Sequence, residues 1–329
     1  MKSATHYTAL RIYREQGTHL ESIPFRNLGE NEVLIAAEYS SVNYKDALAI
    51  TGWGKILHHF PMTPGIDVAG TVHRSNHPEI AVDTKVLVTG CGLGERFDGG
   101  FAEYAQVSGD IVLPCPDQLN PRTAMIFGTA GFTAALAIQR MEDNHQSPDQ
   151  GPVLVTGASG GVGSMAVALL AARGYEVSAM THRISKTGYL HALGATTVLD
   201  RHKMTFGKRP LESVEWAGAI DSVGGETLSW LTRTLRPGGN IATIGLAGGQ
   251  EINTTVMPFI LRGINLLGIN SVNSPMSQRQ KIWEQLSTAL PSRKLEFMLS
   301  DEITLNQITE RATRMLQCQT QGRCLVKLA

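Results

Sequence analysis

From Thr156 to Gly163 the chain reads Thr-Gly-Ala-Ser-Gly-Gly-Val-Gly, directly after the apolar run Val153-Leu154-Val155. Met165, Val167, Ala168, Leu169, Leu170 and Ala171 follow with helical spacing as far as Gly174. A strand, a glycine turn and a helix opening at that turn form half of a βαβ unit. Glycine lets the backbone pass close to a pyrophosphate, and the free N–H groups of the helix start attract its charge. Ser159, Gly160, Gly161 and Val162 are therefore the expected cradle. The spacing Gly157-x-x-Gly160-x-x-Gly163 departs from the usual dinucleotide fingerprint, and a glycine triplet alone also serves a turn with no ligand. The strand before it, the helix after it and a second apolar strand at 175–180 favour the dinucleotide.

The end of that second strand bears on which dinucleotide. NAD-preferring proteins place Asp or Glu about twenty residues beyond the glycines, on the ribose 2′-hydroxyl. Here the place holds Thr181-His182-Arg183, with Lys186 close behind and no acid. A carboxylate there would repel a 2′-phosphate, whereas the guanidinium fork of Arg183 can grip one. The expectation is NADPH, with Thr181, His182 and Arg183 at the 2′-phosphate and Arg201 assisting. The bland alternative is that Arg183 and Lys186 solvate a helix start.

These residues need a scaffold. Residues 8–13, 32–38, 71–73, 85–89 and 101–107 read as strands separated by Gly and Pro turns, which predicts a compact, partly open β-barrel with short helices. Helical periodicity runs from about 124 through 131–140. Strands and helices then alternate: strands at 153–156, 175–180, 197–199, 216–222, 241–244 and 266–269, and a helix at 227–235 closed by Arg236-Pro237-Gly238-Gly239. Such alternation predicts a doubly wound parallel sheet with ligands at the C-terminal strand ends. The turn Leu246-Ala-Gly-Gly249 leaves one of those ends. A helix at 278–290 and a mixed tail closing on the apolar 324–328 are expected to rejoin the first domain. No internal repeat is visible.

Composition narrows the class. The 329 residues carry 29 basic and 29 acidic side chains, so no extended polyanion such as nucleic acid is expected as partner. No run of apolar residues is long enough for a membrane span and no signal segment opens the chain. Cys91, Cys115, Cys318 and Cys324 are scattered, which reads as reduced thiols in a cytoplasmic protein. Zinc needs clustered sulfur or nitrogen donors. His58, His59, His73 and His77 are scattered loop residues, so no metal site is expected.

Several longer segments carry a resemblance: Ser41-Val-Asn-Tyr-Lys-Asp-Ala-Leu-Ala-Ile-Thr-Gly52, Phe60-Pro-Met-Thr-Pro-Gly-Ile-Asp-Val-Ala-Gly70, Gly99-Gly-Phe-Ala-Glu-Tyr104, Phe127-Gly-Thr-Ala-Gly-Phe-Thr-Ala134 and Thr254-Thr-Val-Met-Pro-Phe-Ile-Leu-Arg262. With the glycine turn they resemble the medium-chain dehydrogenase/reductase superfamily over nearly the whole chain. Within it they are most similar to the zinc-free, quinone-oxidoreductase-like branch of acryloyl-CoA reductases (the YhdH/AcuI type). The resemblance implies an α/β chain in two domains. A GroES-like, partly open β-barrel domain (1–124 and 273–329) would bind the substrate. A Rossmann doubly wound parallel-sheet domain (125–272) would bind NADPH. It also implies reduction of the 2,3 double bond of an enoyl-CoA, acryloyl-CoA to propanoyl-CoA. Asn43 and Tyr44 would sit at the nicotinamide, Asn43 on its ribose and Tyr44 as cofactor contact, proton donor or hydrogen-bond donor. Without the resemblance they read as turn chemistry plus a half-buried aromatic. Leu246, Ile260 and Ser271 would lie on segments approaching the cofactor, and Arg323 is a weaker candidate for an anionic contact. The strand at 266–271 would be a sheet edge pairing two copies into a homodimer.

The superfamily's zinc ligands can be sought residue by residue. Its first cysteine would fall near 41–43, where there is none, and its Gly-His-Glu motif matches Gly65-Ile66-Asp67. Asp67 reads instead as a buried carboxylate satisfied by backbone N–H groups, and Lys45 and Asp46 as partners of each other or of neighbours. Related enoyl-thioester reductases carry a proton-donating Tyr where this chain reads Gly52-Trp-Gly-Lys55, which leaves solvent or Tyr44 as proton source. Two alternatives stand beside the reductase: a quinone or free-enone reductase, and a non-catalytic NADPH-binding protein.

Overall fold

The structure is a computed structural model and describes residues 5–328. The chain divides into two compact units, Met1–Thr129 with Val272–Ala329, and Ala130–Ser271. In the first unit an antiparallel hairpin, β1 (His6–Tyr13) and β2 (Gly17–Pro24), precedes the long strand β3 (Glu32–Ser41). β4 (Asp67–Ser75), β5 (Lys85–Thr89), β6 (Tyr104–Ser108) and β7 (Leu113–Pro114) follow. Val33, Ile35, Val68, Val72, Val86 and Val88 alternate inward from three of these strands and share one buried cluster. Between β3 and β4 lies the short helix α1 (Tyr44–Thr51). It is capped at its start by Asn43 in an extended conformation and stopped by Gly52 at φ 74.

Helix α2 (Pro121–Asp143) leaves the first unit through a break at Gly128, whose φ of 50 and ψ of −155 no helix contains. The second unit then alternates: β8 (Val153–Val155), α3 (Gly161–Ala172), β9 (Val177–Thr181), α4 (Thr187–Leu193), β10 (Thr197–Asp200), β11 (Trp216–Asp221), α5 (Gly225–Thr234), β12 (Leu235–Thr243), α6 (Met257–Arg262) and β13 (Asn265–Gly268). All six strands are parallel, in the order β10-β9-β8-β11-β12-β13. That is the Rossmann order, and it reverses direction at β8 and β11, where such sheets bind ligands. The apolar content of α3 runs all round the helix, and Gly163 to Leu170 are all buried.

The chain then returns with α7 (Met276–Ala289), α8 (Ser292–Met298), β14 (Leu299–Ile303), α9 (Ile308–Leu316) and β15 (Arg323–Lys327). β15 pairs with β3, extending the first unit's sheet to the order β14-β15-β3-β4-β5-β7, with β6 on β3. α1 and α9 bury Ala47, Ile50, Ile308 and Ala312 in one cluster. One expectation changes: Arg236-Pro237-Gly238-Gly239 does end α5, yet it already belongs to β12. Trp216 pairs with Leu235 and Gly218 with Asn240, so the Pro-Gly-Gly stretch is an irregularity inside the strand.

Candidate functional site

In the second unit, a candidate site is built at the C-terminal ends of β8 and β9. α3 begins at Gly161 with Gly160 as its N-cap, and no side chain covers its first turn. The N–H groups of that turn have no intrahelical partner and remain open to an anion. A Cβ at Gly163 would stand 2.3 Å from the Gly157 carbonyl oxygen, so only glycine lets the helix lie this close to the turn. Beside the opening, Ser159 Oγ is 3.2 Å from Thr181 Oγ1, and both hydroxyls are buried. The Arg183 backbone N–H donates to Thr181 Oγ1 at 3.1 Å and its Nη2 to Ser159 Oγ at 3.4 Å. β8 and β9 thus bring Ser159, Thr181 and Arg183 together.

Asp221 braces the opposite side. Fully buried at the end of β11, it accepts from Thr156 Oγ1 at 2.6 Å, from the Gly224 N–H at 2.8 Å and from the Val223 N–H at 3.3 Å. Burial pushes its carboxyl above the ordinary aspartate range. Ser222 Oγ donates to the Thr156 carbonyl at 2.9 Å. Together these bonds fix the turn at Ser222–Gly225 against the glycine turn. Asp221 falls within the strand expected at 216–222 and ends β11. An acid followed by Ser-Val-Gly-Gly at such an end was the available signal.

The first unit, taken by itself, holds a buried polar network around Asn43. Asp67, fully buried at the start of β4, accepts from Ser41 Oγ at 2.6 Å, Asn43 Nδ2 at 2.7 Å, and the Thr129 N–H and Oγ1 at 2.9 and 2.5 Å. Arg323 Nη2 stands 4.0 Å from Asp67 Oδ2. Arg323 also donates to Ser41 Oγ at 2.7 Å, Asn43 Oδ1 at 3.2 Å and the Ile126 carbonyl at 2.8 Å. Asp46 accepts from the Asn43 and Ile66 N–H groups at 2.8 and 2.9 Å. Burial, reinforced by the charge of Asp67, pushes the Asp46 carboxyl up to about 7. Burial lowers the Arg323 guanidinium against the pull of Asp67. Tyr44 opens α1, 41% exposed, and desolvation followed by the charge of Cys318 raises its phenol.

The other expected site residues have the following surroundings. Arg323 is 2% exposed, and the anion it faces is Asp67 rather than any free ligand. The Asn43 amide donates to Asp67 and to the Ser41 carbonyl and accepts from Arg323. Arg201 follows β10, next to Thr181 through the pair Asp200–Thr181, but its guanidinium lies 4.1 Å over the Phe206 ring and reaches Glu226 and Thr227 at 3.4 Å. His182 is exposed beside Arg183. Leu246, 60% exposed, lies in the turn that packs on Val223–Gly225 through the Gly248 N–H to Val223 carbonyl bond. Ile260 is 73% exposed on α6, and Ser271 ends the unit after β13. Asp67 draws mainly on side-chain donors rather than backbone N–H groups, and Lys45 pairs with Glu95 at 2.9 Å.

Zinc does not fit this network. Among the described residues no three His, Cys, Asp or Glu side chains gather as metal ligands. The Asp67 carboxylate already takes four hydrogen bonds and faces a guanidinium, which would repel a cation.

Residues 29–117 match the family described as alcohol dehydrogenase GroES-like domain, and residues 161–290 match zinc-binding dehydrogenase. The chain is 46% identical over 323 residues to the probable acrylyl-CoA reductase AcuI of Escherichia coli K12, covering 97% of this chain and 99% of that one. The chain belongs to the medium-chain dehydrogenase/reductase family. Within this family it is also 45% identical to the acrylyl-CoA reductase AcuI of Ruegeria pomeroyi, covering 93% of each chain. The putative quinone oxidoreductase YhfP of Bacillus subtilis is 44% identical, with 94% of each covered. Among solved structures, the YhdH oxidoreductase of Salmonella enterica in complex with NADP superposes with a TM-score of 0.92 at 47% identity, covering 97% of this chain and 99% of that one. YhfP with NAD bound gives 0.94 at 42% identity, covering 98% and 100%. The first unit is thus the family's GroES-like domain and the second its Rossmann domain.

Proposed function

We propose that this medium-chain reductase is an NADPH-dependent enoyl-thioester reductase that converts acryloyl-CoA to propanoyl-CoA. The observation that carries the reading is the α3 opening, where uncapped N–H groups suit a pyrophosphate and Ser159, Thr181 and Arg183 suit a 2′-phosphate. End-to-end likeness to two acrylyl-CoA reductases supports the choice of acceptor. When bound, the dihydronicotinamide supplies a hydride for the β-carbon of the unsaturated thioester. The protein must then stabilise negative charge growing on the thioester oxygen. Tyr44 is the proposed donor for that oxygen, since it opens α1 in an exposed position and its hydroxyl makes no hydrogen bond among the described residues. The α-carbon takes its proton from Tyr44 or from water. Asp221 and Thr156 hold the glycine turn in shape, and Gly163 lets α3 reach the phosphates.

We infer a homodimer in the cytoplasm. β13 is an edge of the second unit's sheet, with Leu266 exposed, and Val256, just before α6, and Met257 and Leu261 within it are also exposed. An open strand edge flanked by apolar side chains suits a second copy of itself. No helix among the described residues is long and apolar enough to cross a membrane.

A panel of acryloyl-CoA, crotonyl-CoA, acrylate and a benzoquinone, each with NADPH, tests the activity. The expected result is a kcat/KM highest for acryloyl-CoA. Equal turnover of the quinone would overturn the thioester assignment, and turnover of no acceptor would make the protein a cofactor-binding protein without this chemistry.

A further inference from the structure

We propose that Asp67 and Arg323 are positioning residues for this reduction, acting through Asn43 to hold the first turn of α1, and with it Tyr44, in one orientation. The inference rests on the function proposed above and adds a task for residues that would not themselves touch cofactor or acceptor.

Asn43 is held at every polar atom. Its Nδ2 donates to Asp67 Oδ2 at 2.7 Å and to the Ser41 carbonyl at 3.3 Å, while its Oδ1 accepts from Arg323 Nη1 at 3.2 Å. Its backbone N–H donates to Asp46 Oδ2 at 2.8 Å, and its carbonyl accepts from the Ala47 N–H at 3.1 Å. A primary amide has two rotamers that exchange oxygen and nitrogen, with nearly the same shape. Asp67 only accepts and Arg323 only donates, so one rotamer satisfies both and the other meets repulsion from each side. The pair therefore fixes the side chain of the N-cap residue, while its backbone, bonded to Asp46 and Ala47, starts α1; the amide itself makes no bond to the helix. Tyr44, the next residue, has no hydrogen bond at its hydroxyl among the described residues. Its placement depends on the cap and on packing.

Two further features favour positioning over stability alone. Asp67, Asp46 and Arg323 are all buried, and desolvating such charges is costly enough that an apolar cluster often stabilises a fold equally well. The backbone also makes room for the network. At Gly128, where φ is 50, a Cβ would come within 2.6 Å of Asp67 Oδ2 and 2.7 Å of Arg323 Nη2 and Ser41 Oγ. The break in α2 falls where any larger residue would push the charged pair apart.

The test is a double-mutant cycle on the full chain. Asn43→Ala and Asp67→Asn are each made in the wild-type and Tyr44→Phe backgrounds, with circular dichroism confirming the fold and NADPH affinity read by fluorescence. In the wild-type background Asn43→Ala is expected to lower kcat about ten- to a hundredfold, the effect of misplacing a reacting group by about 1 Å. KM for acryloyl-CoA and the NADPH Kd should move within about twofold, the scatter of non-interacting substitutions. In the Tyr44→Phe background the further loss of kcat should shrink to about twofold or less. Equal fold-losses in both backgrounds would overturn the proposal, as would an unchanged kcat for Asn43→Ala or for Tyr44→Phe alone. Should Asp67→Asn not fold, Asn43→Ala decides the matter. Failure of the proposed function would look different: wild-type protein would prefer the benzoquinone, and the same cycle run on that acceptor would still reveal or refute the coupling.

Discussion

Replacing Arg183 by Ala should separate the two nicotinamide cofactors, and the size of the separation follows from what surrounds the side chain. Arg183 lies just past β9, its backbone N–H on Thr181 and its Nη2 within 3.4 Å of Ser159 Oγ, itself next to the open end of α3. A phosphate on the ribose 2′-oxygen would replace the weak Ser159 contact with a charge-assisted one. Hydrogen bonds to charged groups contribute about 1.5–3 kcal/mol, so Arg183→Ala should weaken NADPH by roughly ten- to 150-fold. NADH lacks the phosphate, and its affinity should move by no more than about twofold. Arg183→Lys keeps the charge but not the fork, and should fall between. Titration of cofactor fluorescence at low salt measures all of these, and added salt should narrow the gap because the guanidinium is only partly buried. Equal weakening of both cofactors would refute the assignment of Arg183. A wild-type preference for NADH would refute the cofactor itself, a live contrast because YhfP, 42% identical in its solved structure, was seen with NAD.

Two more expectations concern the rest of the molecule. The Asp46 carboxyl rises from 3.8 to about 7 on folding, so between those values the folded chain holds a proton that the unfolded chain has released. Its contribution to stability is therefore greatest at low pH and is lost as pH climbs through about 7. Relative to Asp46→Asn, the wild-type Tm should drop from pH 5 to pH 8; a difference that stays constant with pH would show that Asp46 is not shifted. The dimer should appear in light scattering at twice the chain mass, and Leu266→Lys with Leu261→Asp should convert it to monomer. A wild-type monomer would remove the edge-pairing proposal.

Much of the second unit could be read in advance because its physics is local. Val153-Leu-Val, the glycine turn and the apolar helix after it each follow from neighbouring residue types, and a buried parallel strand needs only a short apolar run. Lys85–Thr89 of β5 was legible for the same reason. The hairpin strand β2 was not, since Gly-Thr-His-Leu-Glu-Ser-Ile-Pro is largely exposed and carries almost no apolar period. β14, largely polar as Leu-Ser-Asp-Glu-Ile, escaped for a similar reason and exists because β15 offers it a partner. Nor could sequence anticipate Asn43. Asparagine before a helix reads as a cap, and only the return of β15 beside β3 brings Arg323, 280 residues later, onto its side chain.

That long-range closure also gives Asn43 and Arg323 partners that the resemblance did not imply, each other and Asp67. Matching motifs carry over residue types, but whether a polar group is open to a ligand depends on what the rest of the chain sets against it. Asn43 and Arg323 have the chemistry to bind a cofactor and have each other instead, with Asp67 completing the set. Ser159, Thr181 and Arg183 have comparable chemistry at the mouth of a helix with nothing to cap it. In the first unit they hold the residue before Tyr44; in the second they lie beside the open first turn of α3, with Ser159 and Thr181 buried and Arg183 partly exposed. A reductase of this design needs no metal to stabilise charge on a thioester oxygen if a phenol is held rigidly enough to donate there. The holding then belongs to the buried ion pair, and the donating to its exposed neighbour.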